Sequence, residues 1–100
     1  MATDMSGLCG IGDLVNVLLK KPLHPQCVGS ETALREDSTN QIHATNVFGT
    51  YVGWRPGLVK VNPVDRSLLD APEGISRYVV IEKKQIKAIY LYGKPNKVYP

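Results

Sequence analysis

The sequence predicts a mostly β protein: a small five-stranded barrel preceded by a short N-terminal α-helix. Beyond Pro22 the chain is rich in Val, Ile, Thr and Tyr and is broken repeatedly by Pro and Gly, a composition that favours pleated strands over helices. Five runs of such residues are separated by turn-forming clusters. The long second run contains Gly49 and Gly53, and glycine inside a strand marks a bend or a close backbone approach, which a small barrel needs at its corners.

The elements follow in order. Residues 1–12 carry three glycines and no clear periodicity and read as a flexible leader. Asp13 is a helix-capping residue type. Leu14, Val15, Val17, Leu18 and Leu19 then give apolar positions at helical spacing, Lys20 and Lys21 suit the negative end of a helix dipole, and Pro22 stops the run. Such a helix is too short to stand alone in water, so its apolar face must cap something else. Strands are expected over 31–36, 41–54, 58–62, 77–82 and 85–92. Residues 37–40 and Arg55-Pro56-Gly57 suit hairpin connections. Within the insertion 63–74, Leu68 and Leu69 anchor a short helical turn. The last hairpin turns at Glu82-Lys83-Lys84 and is apolar on both faces, as in a strand enclosed by a barrel or covered by another subunit. The barrel domain is expected over 13–93, with 94–100 as a tail.

At 100 residues, 43% hydrophobic and 21% charged, the chain has the composition of one ordinary soluble globular domain, which excludes disordered, fibrous and disulfide-dense classes. The longest aliphatic run, 14–19, contains Asn16 and follows Asp13, so it is too short and wrongly flanked for a membrane span or signal-peptide core. A cytoplasmic protein without a membrane partner is expected. Cys9 and Cys27 read as reduced thiols. With His24 and His43 they are the raw material of a zinc site, but they lack the two close ligand pairs that a structural site uses. No metal or other cofactor is expected.

The net charge of +3 hides an asymmetry. Residues 1–50 hold three cations against five anions, and residues 51–100 hold nine against four. From Arg77 onward there are six cations and only Glu82. The basic character is therefore a local property of the C-terminal hairpin.

The chain resembles the Sm and Sm-like small β-barrels in two places. Gly49-Thr50-Tyr51-Val52-Gly53-Trp54-Arg55-Pro56-Gly57-Leu58-Val59-Lys60-Val61 is similar to the family's first motif, a glycine in a bent second strand followed by a turn and an aliphatic third strand. Residues 79–91, a short fourth strand, a tight turn and a fifth strand, look like its second motif. The resemblance implies a homo-oligomeric ring joined through the fourth and fifth strands, with Val79, Ile81, Ile89 and Leu91 at the interface and RNA held by loops around a pore. Where the family carries an acidic residue, an aromatic and an Asn before strand three, this chain has Arg55, Pro56 and Gly57. Where the family has Arg-Gly after strand four, it has Glu82-Lys83. Uridine-specific recognition is therefore not carried over.

Catalysis has little to rest on: no serine lies in a nucleophile-elbow context, no Gly-rich phosphate loop exists, and the two histidines fall in expected loops. No catalytic residue is assigned and an enzyme is not expected. Lys83, Lys84 and Lys87, with Lys94, Lys97, Arg77, Tyr90, Tyr92 and Tyr99 nearby in sequence, combine cations that attract phosphates with rings that can stack on bases. Trp54 and Arg55 add an aromatic and a cation at a turn. The expected function is a non-enzymatic, oligomeric binding module for RNA or single-stranded nucleic acid, with Trp54, Arg55, Lys83, Lys84 and Lys87 as its contacts. The alternative is a protein-interaction or structural adaptor, viral or regulatory, in which the same lysines protect a sheet edge and the tyrosines pack inside.

Overall fold

The computed structural model describes residues 10–28, 31–36, 44–69, 77–93 and 97–99. It contains seven strands: β1 (Leu14–Val28), β2 (Glu31–Arg35), β3 (Ala44–Arg55), β4 (Leu58–Pro63), β5 (Val79–Glu82), β6 (Ile86–Leu91) and β7 (Lys97–Tyr99). Two short 3₁₀ turns, Arg66–Leu69 and Lys83–Gln85, complete the described elements. Five strands close a barrel in the order β1-β3-β4-β5-β2 and back to β1, and β6 and β7 extend the sheet outward from β1. All pairings are antiparallel except β2 with β5, which are parallel over Thr32↔Val79 and Ala33↔Val80.

The expected N-terminal helix is absent, and residues 14–19 are strand. Val15, Val17 and Leu19 are buried while Asn16 and Leu18 are half-exposed, an alternation of period two that a run of Leu and Val also permits. Each buried Val or Leu contributes about 1.5–3 kcal/mol, whereas helix propensities differ by less than about 0.7 kcal/mol per residue. The docking site between β3 and β6 therefore decides the conformation. Asp13 closes a turn instead of capping a helix: its carboxylate accepts the Gly10 N–H at 2.8 Å, and its own N–H donates to the Gly10 carbonyl at 3.0 Å. The Tyr51 N–H donates to the Asp13 carbonyl at 2.8 Å and ties this turn to β3.

Pro22 marks a bend, not a helix end. In the β1–β3 ladder Leu18 faces Asn46 and the next pair is Leu23 with Ala44, so β1 carries extra residues there, Lys20, Lys21 and Pro22 among them. A proline is tolerated where the ladder is already interrupted. Beyond the bend, His24 to Val28 pair with β2.

Strand expectations over 31–36, 58–62, 77–82 and 85–92 are close to β2, β4, β5 and β6, but the expected last hairpin does not form: β5 pairs with β4 and β2, whereas β6 pairs with β1 and β7 outside the closed ring, where β1 takes the place expected for it. The start of the expected strand 41–54 and the loop 37–40 lie partly or wholly outside the described residues, as do leader residues 1–9. Lys97–Tyr99, expected within a tail, pairs with β6 through Tyr90↔Lys97 and Ile89↔Tyr99. The Arg66–Leu69 turn buries Leu68 and Leu69 against the barrel. The Thr32 hydroxyl, fully buried, donates to the Leu69 carbonyl and fixes that turn to β2.

The barrel interior is filled by inward residues of every closing strand, chiefly Val15, Val17, Leu23, Leu34, Val47, Val59, Val61, Val79 and Ile81, with Ile89 of β6 beside them. Branched side chains suit the pleat and lose little freedom there. Pro56 presets φ and Gly57 adopts φ +79° in the two-residue β3–β4 connection, which explains the Pro-Gly pair. Gly49 has a different reason: a Cβ there would lie 2.2 Å from the Asn62 carbonyl oxygen and 2.8 Å from the Pro63 Cα. The two backbones are in direct contact, and only a residue without a side chain fits. Gly49→Ala is expected to lower stability by about 1–3 kcal/mol through overpacking, read as a shift of the urea midpoint at constant slope.

Candidate nucleic-acid interface

The outer face of β3, β1 and β6 forms a continuous sheet surface. Along β1 the outward residues are Leu14, Asn16 and Leu18, and the exposed Lys20 lies in the bend that follows. Asn16 is paired with Phe48 on one side and with Tyr90 on the other. Leu18 lies between Asn46 and Ala88 in the same way. Leu14 faces Thr50, and its carbonyl accepts the Tyr92 N–H at 2.9 Å. Three aromatic rings, Phe48, Tyr90 and Tyr92, thus share one face. Phe48 and Tyr92 meet edge-on with centroids 5.2 Å apart, and Tyr92 remains 64% exposed. Between them Asn46 Nδ2 donates to Asn16 Oδ1 at 3.0 Å.

Cations border this surface. Lys97 is the β7 partner of Tyr90. Lys87 is the extra residue of a bulge, since Leu18 faces Ala88 while Leu19 faces Ile86. A bulge re-aims its side chain, and Lys87 is exposed. Lys20 is exposed in the β1 bend just beyond Leu19, the partner of Ile86.

The same end of the barrel collects charge from distant parts of the chain. Lys21 pairs with Glu36, and Lys84 lies 3.8 Å from Glu82. The Lys21 side chain foremost, with help from Gln85 and Lys84, holds the Glu36 carboxyl below its ordinary range. This end of the barrel thus brings Lys20, Lys21, Arg35, Lys83, Lys84 and Lys87 together with the carboxylates Glu36 and Glu82. Half of these cations come from the acidic half of the sequence, so counting by halves understates the local excess.

Each expected contact has a definite place. Lys87 lies on the aromatic sheet face. Lys84 is exposed beside Glu82, and the Lys83 ammonium lies 5.9 Å from the Tyr99 ring centre. Arg55 is elsewhere, with Nη2 3.1 and 3.2 Å from the two oxygens of Glu31. Trp54 pairs with Val59 through its backbone, and its side chain lies outside the described residues. Among the expected interface residues, Val79, Ile81 and Ile89 are fully buried in the barrel's own core and Leu91 packs against it. The edges of β5 and β6 are occupied by β2 and β7. Of the zinc candidates, Cys9, His43 and the Cys27 side chain lie outside the described residues. His24 is buried, and its Nδ1–H donates to the Arg35 carbonyl at 3.1 Å.

Phe48, Asn16 and Lys20 were missing from the expected site. Alternation in β1 and the polar–aromatic alternation Asn46, Phe48, Thr50 were available signals, hidden once residues 14–19 were read as a helix.

A second concavity of about 200 Å³ opens where β2 and β5 diverge beyond their two parallel pairs, lined by Arg35, Arg55, Leu58, Val80 and Glu82 among others. Its Arg55 is already engaged by Glu31, which also binds Lys60, whose ammonium is 3.3 Å away and sits over the Tyr78 ring. A polyanion at Arg55 would have to displace a carboxylate, whereas Lys20 and Lys87 carry no ion pair among the described residues. No three His, Cys, Asp or Glu side chains gather among the described residues, and no described helix is long and apolar enough to cross a membrane.

The fold and surface define a small five-stranded β-barrel with an aromatic, cation-bordered outer sheet. Comparison with protein-family models, curated proteins and solved structures gave no match.

Partial burial raises the Glu31 pKa, but the hydrogen bonds and charges of Arg55 and Lys60 outweigh it and hold the carboxyl below its ordinary range. A depressed folded-state pKa gives stability that is present above the unfolded value and lost as pH falls through the folded one. Thermal unfolding followed from neutral pH into that acid window is expected to show a shallower decline for Glu31→Gln than for the wild type.

Proposed function

We propose that this protein is a non-enzymatic binding module for RNA or other single-stranded nucleic acid, with bases stacked on the outer face of β3, β1 and β6. The observation that carries this reading is the grouping of Phe48, Tyr90 and Tyr92 on one surface bordered by Lys20, Lys87 and Lys97. Base stacking on an exposed ring contributes about 1–3 kcal/mol and tolerates any sequence. Lysines at the margin neutralise phosphates and release counterions. An enzyme needs a positioned acid, base or nucleophile in a cleft, and the surface offers instead rings, amides and ammonium groups.

The bent β3 and the β5–turn–β6 unit, where the sequence resembles Sm-like barrels, support the same class. Ring assembly of the Sm kind would require β2 or β7 to leave the edges they occupy. The reading therefore runs on a single chain, with the sheet face in place of a pore.

The lysine-rich turn contributes long-range attraction, and the sheet face contributes stacking. Fluorescence anisotropy with labelled single-stranded RNA and DNA, against duplex controls at two or more salt concentrations, tests this. Affinity is expected to fall as salt rises. Tyr90→Ala and Tyr92→Ala should each cost about 1–3 kcal/mol, and Lys87→Gln should reduce the log–log salt slope by about 0.7. Absence of binding at low salt would remove the proposal in favour of the adaptor function.

A further inference from the structure

A groove of about 370 Å³ runs along the margin of the sheet face, between β3 and the chain following β4, within the lower range of ligand sites. Its lining includes Thr45, Asn46, Phe48, Val64, Asp65 and Ser67. Asn46 and Phe48 belong both to the groove and to the stacking surface, so a strand lying on the sheet passes directly over it. The Val64 N–H donates to the Phe48 carbonyl at 2.9 Å and fixes the outer wall to β3.

Asp65 supplies the groove's charge. Its Oδ1 accepts the Ser67 N–H at 3.0 Å and the Ser67 hydroxyl at 2.7 Å. These bonds orient the carboxylate and hold it below the usual range, so it is ionised at neutral pH. Its Oδ2 accepts no hydrogen bond among the described residues. Outside the groove, the guanidinium of the neighbouring Arg66 is held by the Asn62 side chain and the Pro63 carbonyl.

An ionised carboxylate only accepts hydrogen bonds, and it repels phosphate. The occupant that suits it within a nucleic acid is a base edge rich in donors, with the phosphate outside the groove. Guanine presents adjacent N1–H and N2–H donors on its Watson–Crick edge. Adenine and cytosine each present an amino group next to an acceptor nitrogen, and uracil presents one N–H between two carbonyls. Single-stranded bases are commonly read on these edges while stacked on an aromatic ring.

We infer that the groove beside Phe48 is a base-selecting subsite that takes guanine, with Asp65 as its acceptor. The inference rests on the single-stranded nucleic-acid reading above and adds a preference to it. It is tested with uridine octamers carrying one central guanosine, inosine, adenosine, cytidine or uridine, measured by anisotropy on the full chain at neutral pH. Guanosine is expected to bind on the order of tenfold tighter than uridine, with inosine, which lacks the N2 amino group, between them. Asp65→Asn keeps an acceptor for Ser67 and should bring guanosine and uridine together without weakening the all-uridine octamer. Chemical-shift changes at Thr45, Asn46 and Ser67 on adding 5′-GMP but not 5′-UMP would place the contact. Equal affinity for all five octamers, or a guanosine preference that survives Asp65→Asn, would overturn the subsite and leave general binding standing. Failure of every octamer to bind would overturn both.

Discussion

The bend between Leu18 and Leu23 allows one strand to pair at two places in the same sheet. Before it, β1 pairs with β3 on one edge and β6 on the other; after it, the same strand pairs with β2, which reaches β5 and closes the ring. A strand flanked on both sides satisfies its backbone donors and acceptors without water, and a barrel removes its free edges by such closure. Were β1 a helix, β3 and β6 would lose their shared partner. Asn16 could not then link Phe48 to Tyr90 across the outer face.

The bend also sets the electrostatics. Lys20 and Lys21 are near the N-terminus in sequence, yet the turn of β1 carries them to the same end as the Lys83–Gln85 turn. Glu36, at the end of β2, is drawn between them, with Lys21 as its main partner and Lys84 in range. Exposed ion pairs of this kind contribute little to stability. Their consequence is to decide which cations are occupied: Lys21, Arg55 and Lys60 face carboxylates, whereas Lys20 and Lys87 are exposed. The charge excess and the aromatic surface therefore meet at the β1–β6 bulge.

The proposed site divides between attraction and discrimination. Stacking and phosphate neutralisation act on any single strand. A preference requires a group with fixed direction, and the Asp65 carboxylate has one because Ser67 binds it through both backbone and side chain. Phe48 joins the two regions, since its ring belongs to the sheet face while its carbonyl holds the groove's outer wall.

Much of the barrel was legible in the residues themselves. The β-rich runs of β2, β4 and β6 and the Pro56-Gly57 turn follow from residue type, the glycine at position 49 was visible as a bend or close approach, and the buried Leu68-Leu69 pair was visible as an apolar anchor in the insertion. The C-terminal lysines and tyrosines were legible as chemistry but not as a surface. The sequence by itself determined a β-rich chain with its basic charge biased toward one end. Tertiary structure decided that 14–19 is a strand, because a short Leu/Val run satisfies both periods and only the gap between β3 and β6 distinguishes them. It likewise decided which side chains share a face, since the positions of Asn16, Phe48 and Tyr90 depend on cross-strand register, which links residues more than thirty positions apart in the sequence.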